Sequence, residues 1–109
     1  LNTREQAVEV VRMAMERGWQ KLILVASHEH QYRAYLTFLR EVLDTKSGIT
    51  LYNAPARNLD WFVDKGWGTR FARLEAEILR IEKYSELGHL ATAQEVIDYQ
   101  QWKEKNLTD

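Results

Sequence analysis

Residues 22–34 read LILVASHEHQYRA, and this stretch decides the fold of the chain. Its first residues, LILV, form a continuous apolar run that is typical of a strand buried on both faces. From Tyr32 onward apolar residues recur at helical spacing. This predicts a helix with one buried face, made of Tyr32, Tyr35, Leu36, Leu39, Val42 and Leu43. In open α/β folds, a strand that passes directly into a helix places the ligand site at the turn between them.

Polar residues with useful chemistry cluster at this turn. Ser27 offers a hydroxyl, and His30 can donate a hydrogen bond or act as a general acid or base near neutral pH. Arg33 follows His30 by three residues, so the two side chains face the same way on a helix. A cation near a helix start opposes the helix dipole, and a bound anion would reverse that penalty. We therefore predict that Ser27 and Arg33 bind an anionic ligand, with His30 as the candidate catalytic residue.

Each of these residues also has a simpler interpretation. Ser27 could be a helix cap only, His30 a surface histidine, and Arg33 a solvated or ion-paired side chain. His28 and Glu29 are of metal-ligand type, but no third ligand stands at a defined spacing, so we predict no metal site.

A helix precedes the strand. Thr3 with Gln6 matches a capping box, which predicts a helix that begins at Thr3 and stops at Gly18. Asn2 and Thr3 would then start this helix beside the same crevice, and we predict that both contribute to ligand binding. A helix cap and nothing more is the simpler interpretation of this pair.

The second strand completes one α/β unit. The helix after Ser27 should end at residues 44–46, and residues 49–52 should form a strand that Pro55 keeps short. Two strands joined by a helix are expected to be parallel. Since a strand as apolar as LILV expects neighbours on both edges, we expect the later part of a larger doubly wound domain. The missing strands would come from residues before Leu1 or from a second chain.

Residues 57–105 are predicted to form a mainly helical closing segment. Residues 61–63 could be a short helix. Thr69 should cap a long helix with a buried face of Phe71, Leu74, Ile78 and Ile81. We interpret its charged residues as a solvated face: Arg70, Arg73, Glu75, Glu77, Arg80, Glu82 and Lys83. Thr92 with Glu95 repeats the capping box, and the last helix should bury Val96, Tyr99 and Trp102.

Composition narrows the class of protein. The 109 residues are enough for one domain, and the net charge of −1 argues against a general nucleic-acid surface. No apolar run approaches the roughly 20 residues of a membrane span. The chain has no cysteine, which excludes disulfides and cysteine-based metal sites. The partner expected from the turn residues Ser27, His30 and Arg33 is a small anionic ligand.

Two pieces of the sequence resemble the YdcF-like family of bacteria, to which SanA and ElyC also belong. The first is Asn2-Thr3 with Glu5-Gln6-Ala7, similar to the family's NT-x-EN-A run, with Gln6 in place of the usual asparagine. The second is residues 24–27 with His30 and Arg33-Ala34, similar to VTS-x-x-H-x-x-RA, with alanine in place of threonine at position 26. The resemblance covers residues 1–56 well and the rest weakly.

The resemblance implies a Rossmann-like three-layer α/β sandwich with a parallel sheet. It also implies an anionic ligand that is phosphorylated, a nucleotide or similar to S-adenosylmethionine, in a cell-envelope process. The alternative is a hydrolase or transferase that acts on a phosphorylated envelope precursor, with His30 as acid or base. We expect a cytoplasmic protein, or a membrane-anchored one that faces the periplasm if an anchor lies upstream.

Overall fold

The computed structural model describes residues 2–57, 60–62, 66 and 68–107. These residues form a mixed α/β structure with four helices and a two-stranded parallel sheet, which confirms the α/β class and the parallel strands. The elements in chain order are α1 (Thr3–Arg17), β1 (Lys21–Leu24), α2 (His28–Thr45), β2 (Thr50–Asn53), α3 (Arg70–Glu86) and α4 (Ala93–Leu107).

Helix α1 begins at Thr3 as predicted, but its N-cap lies one residue earlier than the capping box suggests. Asn2, not Thr3, is the N-cap, and its Oδ1 accepts a hydrogen bond of 2.8 Å from the Glu5 N–H. Asn2 Nδ2 donates in return to Glu5 Oε1 at 3.0 Å. The carboxylate of Glu5 also interacts favourably with the positive end of the helix dipole. The neutral amide of Gln6 would interact with it less strongly. The predicted stop is confirmed, because Gly18 takes the left-handed conformation with φ 71°.

Helix α2 is the centre of the core. It ends at Thr45, within the predicted range, and it packs against α1, α3 and both strands. The expected face is buried or half-buried except at Tyr32, which is 61% exposed. Gln31 is buried instead, and its side-chain amide bonds the Leu24 carbonyl, the Ala26 N–H and Asn53 Oδ1. The Gln31 amide therefore lies at the carboxyl ends of both strands, where it supplies hydrogen-bond partners to backbone groups of Leu24 and Ala26.

Helix α3 presents a different face to the core from the predicted one. Phe71 and Ile78 are exposed, while Glu77 is only 3% exposed and Ile81 and Tyr84 pack against the core. The predicted apolar face is therefore confirmed at Ile81 and at the half-buried Leu74 but wrong at Phe71 and Ile78, and the interpretation of Glu77 as solvated is wrong. The cause is a long-range ion pair of Glu77, described below. Trp61 and Phe62 lie in bends rather than in a helix, and residue 63 is outside the described residues.

Helix α4 closes the outer edge of β2. Its capping box is confirmed, because Thr92 Oγ1 accepts from the Glu95 N–H at 3.1 Å and Glu95 Oε1 from the Thr92 N–H at 2.9 Å. Tyr99 is buried beside β2, as the sequence predicts, whereas Trp102 stays partly exposed. In the described part of the chain, no helix has the length and hydrophobicity that crossing a bilayer requires.

Candidate functional site

A cavity of about 460 Å³ lies at the carboxyl end of β1, between the first turns of α1 and α2 and one face of α3. All five of the predicted site residues line it: Asn2, Thr3, Ser27, His30 and Arg33. Helix α3 contributes Arg73, Glu77, Arg80 and Tyr84, and α2 adds Glu29. The structure thus brings the predicted residues together, while their role in ligand binding stays a prediction.

Arg33 is held by Glu77, forty-four residues away in the chain. Arg33 Nε donates to Glu77 Oε2, and Arg33 Nη2 donates to Oε1 at 3.2 Å, in a bidentate ion pair. Both side chains are largely buried, with exposed fractions of 13% and 4%. The anion that the sequence predicts beside Arg33 is therefore present within the chain itself, and a ligand would have to share this cation with Glu77.

Glu77 is ionised because of its partners. Burial by itself raises the pKa of Glu77, but the hydrogen bonds and charge of Arg33, together with His30, outweigh burial and lower this pKa below its ordinary value. Arg80 adds a third contact, with Nη1 at 3.2 Å from Glu77 Oε1. One carboxylate thus organises two arginines and a histidine around the cavity.

His30 is oriented by the same pair. Its Nδ1 lies 3.2 Å from Arg33 Nη2 and 3.5 Å from Glu77 Oε1. A guanidinium has no acceptor, so in the neutral imidazole Nδ1 accepts from Arg33 and the proton is on Nε2, whereas in the imidazolium Nδ1 is a donor that faces Glu77 Oε1. This geometry places on the cavity wall a histidine whose ring is held beside Arg33 and Glu77, and such a side chain can act as a general acid or base near neutral pH.

Ser27 precedes α2 without capping it through its side chain. The Ser27 carbonyl accepts from the N–H groups of His30 and Gln31, at 3.0 and 2.9 Å, but its hydroxyl makes no capping bond. By contrast, the side chains of Asn2, Thr69 and Thr92 cap the other three described helices. The Ser27 side chain is therefore not used as a cap in this structure, which removes its simplest interpretation.

Sequence reasoning missed the contribution of α3 to this site. The i,i+3 spacing of Glu77 and Arg80 was visible, but it fits a solvated face equally well. Nothing in the sequence signals that Glu77 faces Arg33. In sequence, Glu29 shows only the features of a possible metal ligand; in the fold it is buried, and its Oε1 lies 3.9 Å from Arg70 Nε.

Two further observations complete the description of the site. Among the described residues there is no group of three or more histidine, aspartate or glutamate side chains that could hold a metal ion. Comparison of the chain with protein-family models, with curated proteins and with solved structures gave no match.

Proposed function

We propose that the chain binds a small anionic molecule in the cavity at the carboxyl end of β1. The observation that carries this proposal is the convergence of Arg33, Arg73 and Arg80 with the first turn of α2 on one volume of about 460 Å³. Guanidinium groups match phosphate and carboxylate in a bidentate geometry, and helix amino termini favour negative charge. Arg80 is open to a ligand, since its side chain is 45% exposed and only part of its guanidinium contacts Glu77.

The cavity wall also favours a particular class of anion. Glu29 and Glu77 line it beside the three arginines, so the wall is not uniformly positive. A ligand with anionic oxygens alone would be repelled by these carboxylates. A ligand that combines an anionic group with hydroxyl or amino donors suits a wall of both signs. Nucleotides and S-adenosylmethionine have this combination, and we favour them over inorganic phosphate.

The resemblance to the YdcF-like family supports the same assignment. Its two pieces, at residues 2–7 and 24–34, are far apart in the sequence, yet both supply residues to the cavity wall. On this proposal the parallel sheet belongs to a Rossmann-like three-layer sandwich, and the ligand takes part in cell-envelope metabolism.

The second candidate is a hydrolase or transferase that acts on a phosphorylated envelope precursor. It is favoured by one observation, the position of His30 on the cavity wall beside Arg33 and Glu77. In this reaction Arg80 would hold the phosphoryl group, and His30 would transfer a proton through Nε2.

A binding experiment tests the proposal. Thermal shift and calorimetry on the 109-residue chain would compare S-adenosylmethionine, AMP and inorganic phosphate, because a ligand of the folded state raises its stability. We expect AMP or S-adenosylmethionine to bind more tightly than phosphate. Arg80→Gln should weaken that binding about tenfold or more, since it removes a charged hydrogen-bond donor. Arg12→Gln is the matched control, because Arg12 pairs with Glu9 and Glu16 on the exposed side of α1.

Two results would contradict the binding proposal: no stabilisation by any of the three compounds, or an equal loss of affinity in both arginine variants. His30→Gln separates the two candidate functions. If the chain is a phosphohydrolase that accepts AMP with His30 as acid or base, phosphate release from AMP disappears in this variant while binding remains; a chain that only binds AMP releases no phosphate with or without the substitution.

A further inference from the structure

Two buried carboxylates, Glu29 and Glu77, line the cavity at the carboxyl end of β1, and their surroundings differ. Glu77 accepts hydrogen bonds from Arg33 and Arg80 and lies beside His30. Both of its oxygens are therefore engaged by donors of the chain itself. Such a carboxylate holds the structure together and has little capacity left for a ligand.

Glu29 is buried without this compensation. Its side chain is only 5% exposed, yet among the described residues its Oε2 has no hydrogen-bond partner. Arg70 Nε lies 3.9 Å from Oε1, which is beyond hydrogen-bond distance. A buried carboxylate that lacks donors is costly, because it has lost the water that solvates it in the unfolded chain. A donor from outside the chain would complete the hydrogen bonding of Glu29.

Arg70 indicates which kind of donor fits. Its guanidinium offsets the negative charge of Glu29, so an ammonium group of a ligand would meet a second cation at this point. A neutral hydroxyl gains a charge-assisted hydrogen bond without that repulsion. Since a carboxylate carries two acceptor oxygens, two hydroxyls on adjacent carbon atoms can both donate to it.

We propose that Glu29 binds the vicinal hydroxyls of a ribose, so that the cavity selects an anionic ligand that carries this sugar. The assignment rests on the proposed function and deepens it. Arg80 on α3 would hold the anionic group, while Glu29 in the first turn of α2 would hold the sugar. A volume of about 460 Å³ is in the range of sites that enclose a ligand of this size. Glu29 is then a specificity residue, whereas Glu77 is a structural one.

A pair of nucleotides tests this proposal. Calorimetry on the 109-residue chain would compare AMP with its 2′,3′-dideoxy form, which lacks both hydroxyls. We expect the unaltered chain to bind AMP about tenfold more tightly or better, because the hydroxyls donate to a charged acceptor. Glu29→Gln keeps the shape of the side chain but offers only a neutral acceptor, so this preference should fall to about threefold or less. Glu29→Met offers no such acceptor and should bind the two nucleotides equally.

The ratio of the two affinities is the readout, since a structural effect of a substitution would weaken both nucleotides alike. Glu75→Gln is the matched control: this exposed carboxylate of α3 is not among the residues that line the cavity, and the variant should keep the full preference. If Glu29→Met does not fold, Glu29→Gln decides the question. Equal binding of the two nucleotides by the unaltered chain, or a full preference in Glu29→Gln, would overturn this proposal alone. If neither nucleotide binds, the proposed function fails together with it.

Discussion

Helices α3 and α4 both pack on the α/β unit from the second half of the chain, but different chemistry attaches them. Helix α3 is fixed to α2 by the ionised carboxylate of Glu77, which Arg33 and Arg80 hold. Helix α4 is fixed to β2 mainly by the neutral hydroxyl of Tyr99. A charged attachment responds to acid, whereas a neutral one responds to the loss of a single hydrogen-bonding atom. The polar cavity lies on the α3 side, where charge holds the structure.

The largest expected effect is at the α3 attachment. Glu77→Gln leaves the buried Arg33 without its counter-ion, and we expect a loss of about 3 kcal/mol in the free energy of unfolding at pH 7. Urea denaturation measures this loss. Glu75→Gln on the exposed side of the same helix is the matched control and should change stability by less than about 0.5 kcal/mol. Equal stability of the two variants would show that the ion pair does not hold α3.

Acid should reduce the difference in the free energy of unfolding between Glu77→Gln and the unaltered chain. The pKa of Glu77 is lower in the folded state than in the unfolded state, so its stabilisation is present above roughly pH 4 and is lost as the pH falls through the folded-state pKa. Urea denaturation between pH 7 and pH 3 should show the two stabilities converging. A constant difference across this range would contradict the assignment of an ionised Glu77.

The α4 attachment should depend on one oxygen atom. Tyr99→Phe keeps the ring but leaves the buried Leu51 N–H and Ile49 carbonyl without their partner, at an expected cost of about 2 kcal/mol. The Leu51 amide should also lose protection from hydrogen exchange. Tyr32→Phe, at an exposed tyrosine, is the control and should be nearly neutral. If the Leu51 amide stays protected in Tyr99→Phe, the hydroxyl is not what closes this edge.

High pH tests the α4 attachment in the way that low pH tests the α3 attachment, because the Tyr99 hydroxyl ionises in alkali. Burial raises the pKa of Tyr99 to about 12, although the bond to Leu51 acts against the shift. Since the folded-state pKa is the higher one, the stabilisation is complete below about pH 10 and is lost as the pH rises through the folded-state value. Stability should therefore fall between about pH 10 and 12, and Tyr99→Phe should lessen this fall. An identical decline in both proteins would assign the alkaline effect to other groups.

The smallest expected effect concerns a charged contact between α4 and α2. Arg40 Nη1 donates to Glu95 Oε1 at 2.7 Å, and both side chains are partly exposed. Glu95→Gln keeps a capping amide but removes the charge, so we expect a loss of about 0.5 kcal/mol that disappears in 1 M salt. A loss as large as that of Glu77→Gln would remove the distinction between the two helices.

The sequence by itself determined the local features of this protein. It predicted the α/β class, the stop at Gly18 and the caps at Thr69 and at Thr92 with Glu95, because these depend on hydrogen bonds within a few residues. Helical spacing likewise placed His30 and Arg33 on one side of α2. The one-residue error at Asn2 was also local, since two overlapping capping patterns compete there.

Only the tertiary structure decided which distant residues meet. Glu77 pairs with Arg33, and Tyr99 bonds the backbone of Leu51, across separations of 44 and 48 residues. Glutamate is common on exposed helix faces, so hydropathy predicts that it is solvated. A carboxylate can still be buried where its counter-ion and hydrogen bonds offset the cost of desolvation, and that compensation exists only after the chain has folded. The apolar face predicted for α3 failed at Phe71 and Ile78 for this reason: the buried side of the helix includes Glu77 with its ion pair, and those two side chains are exposed.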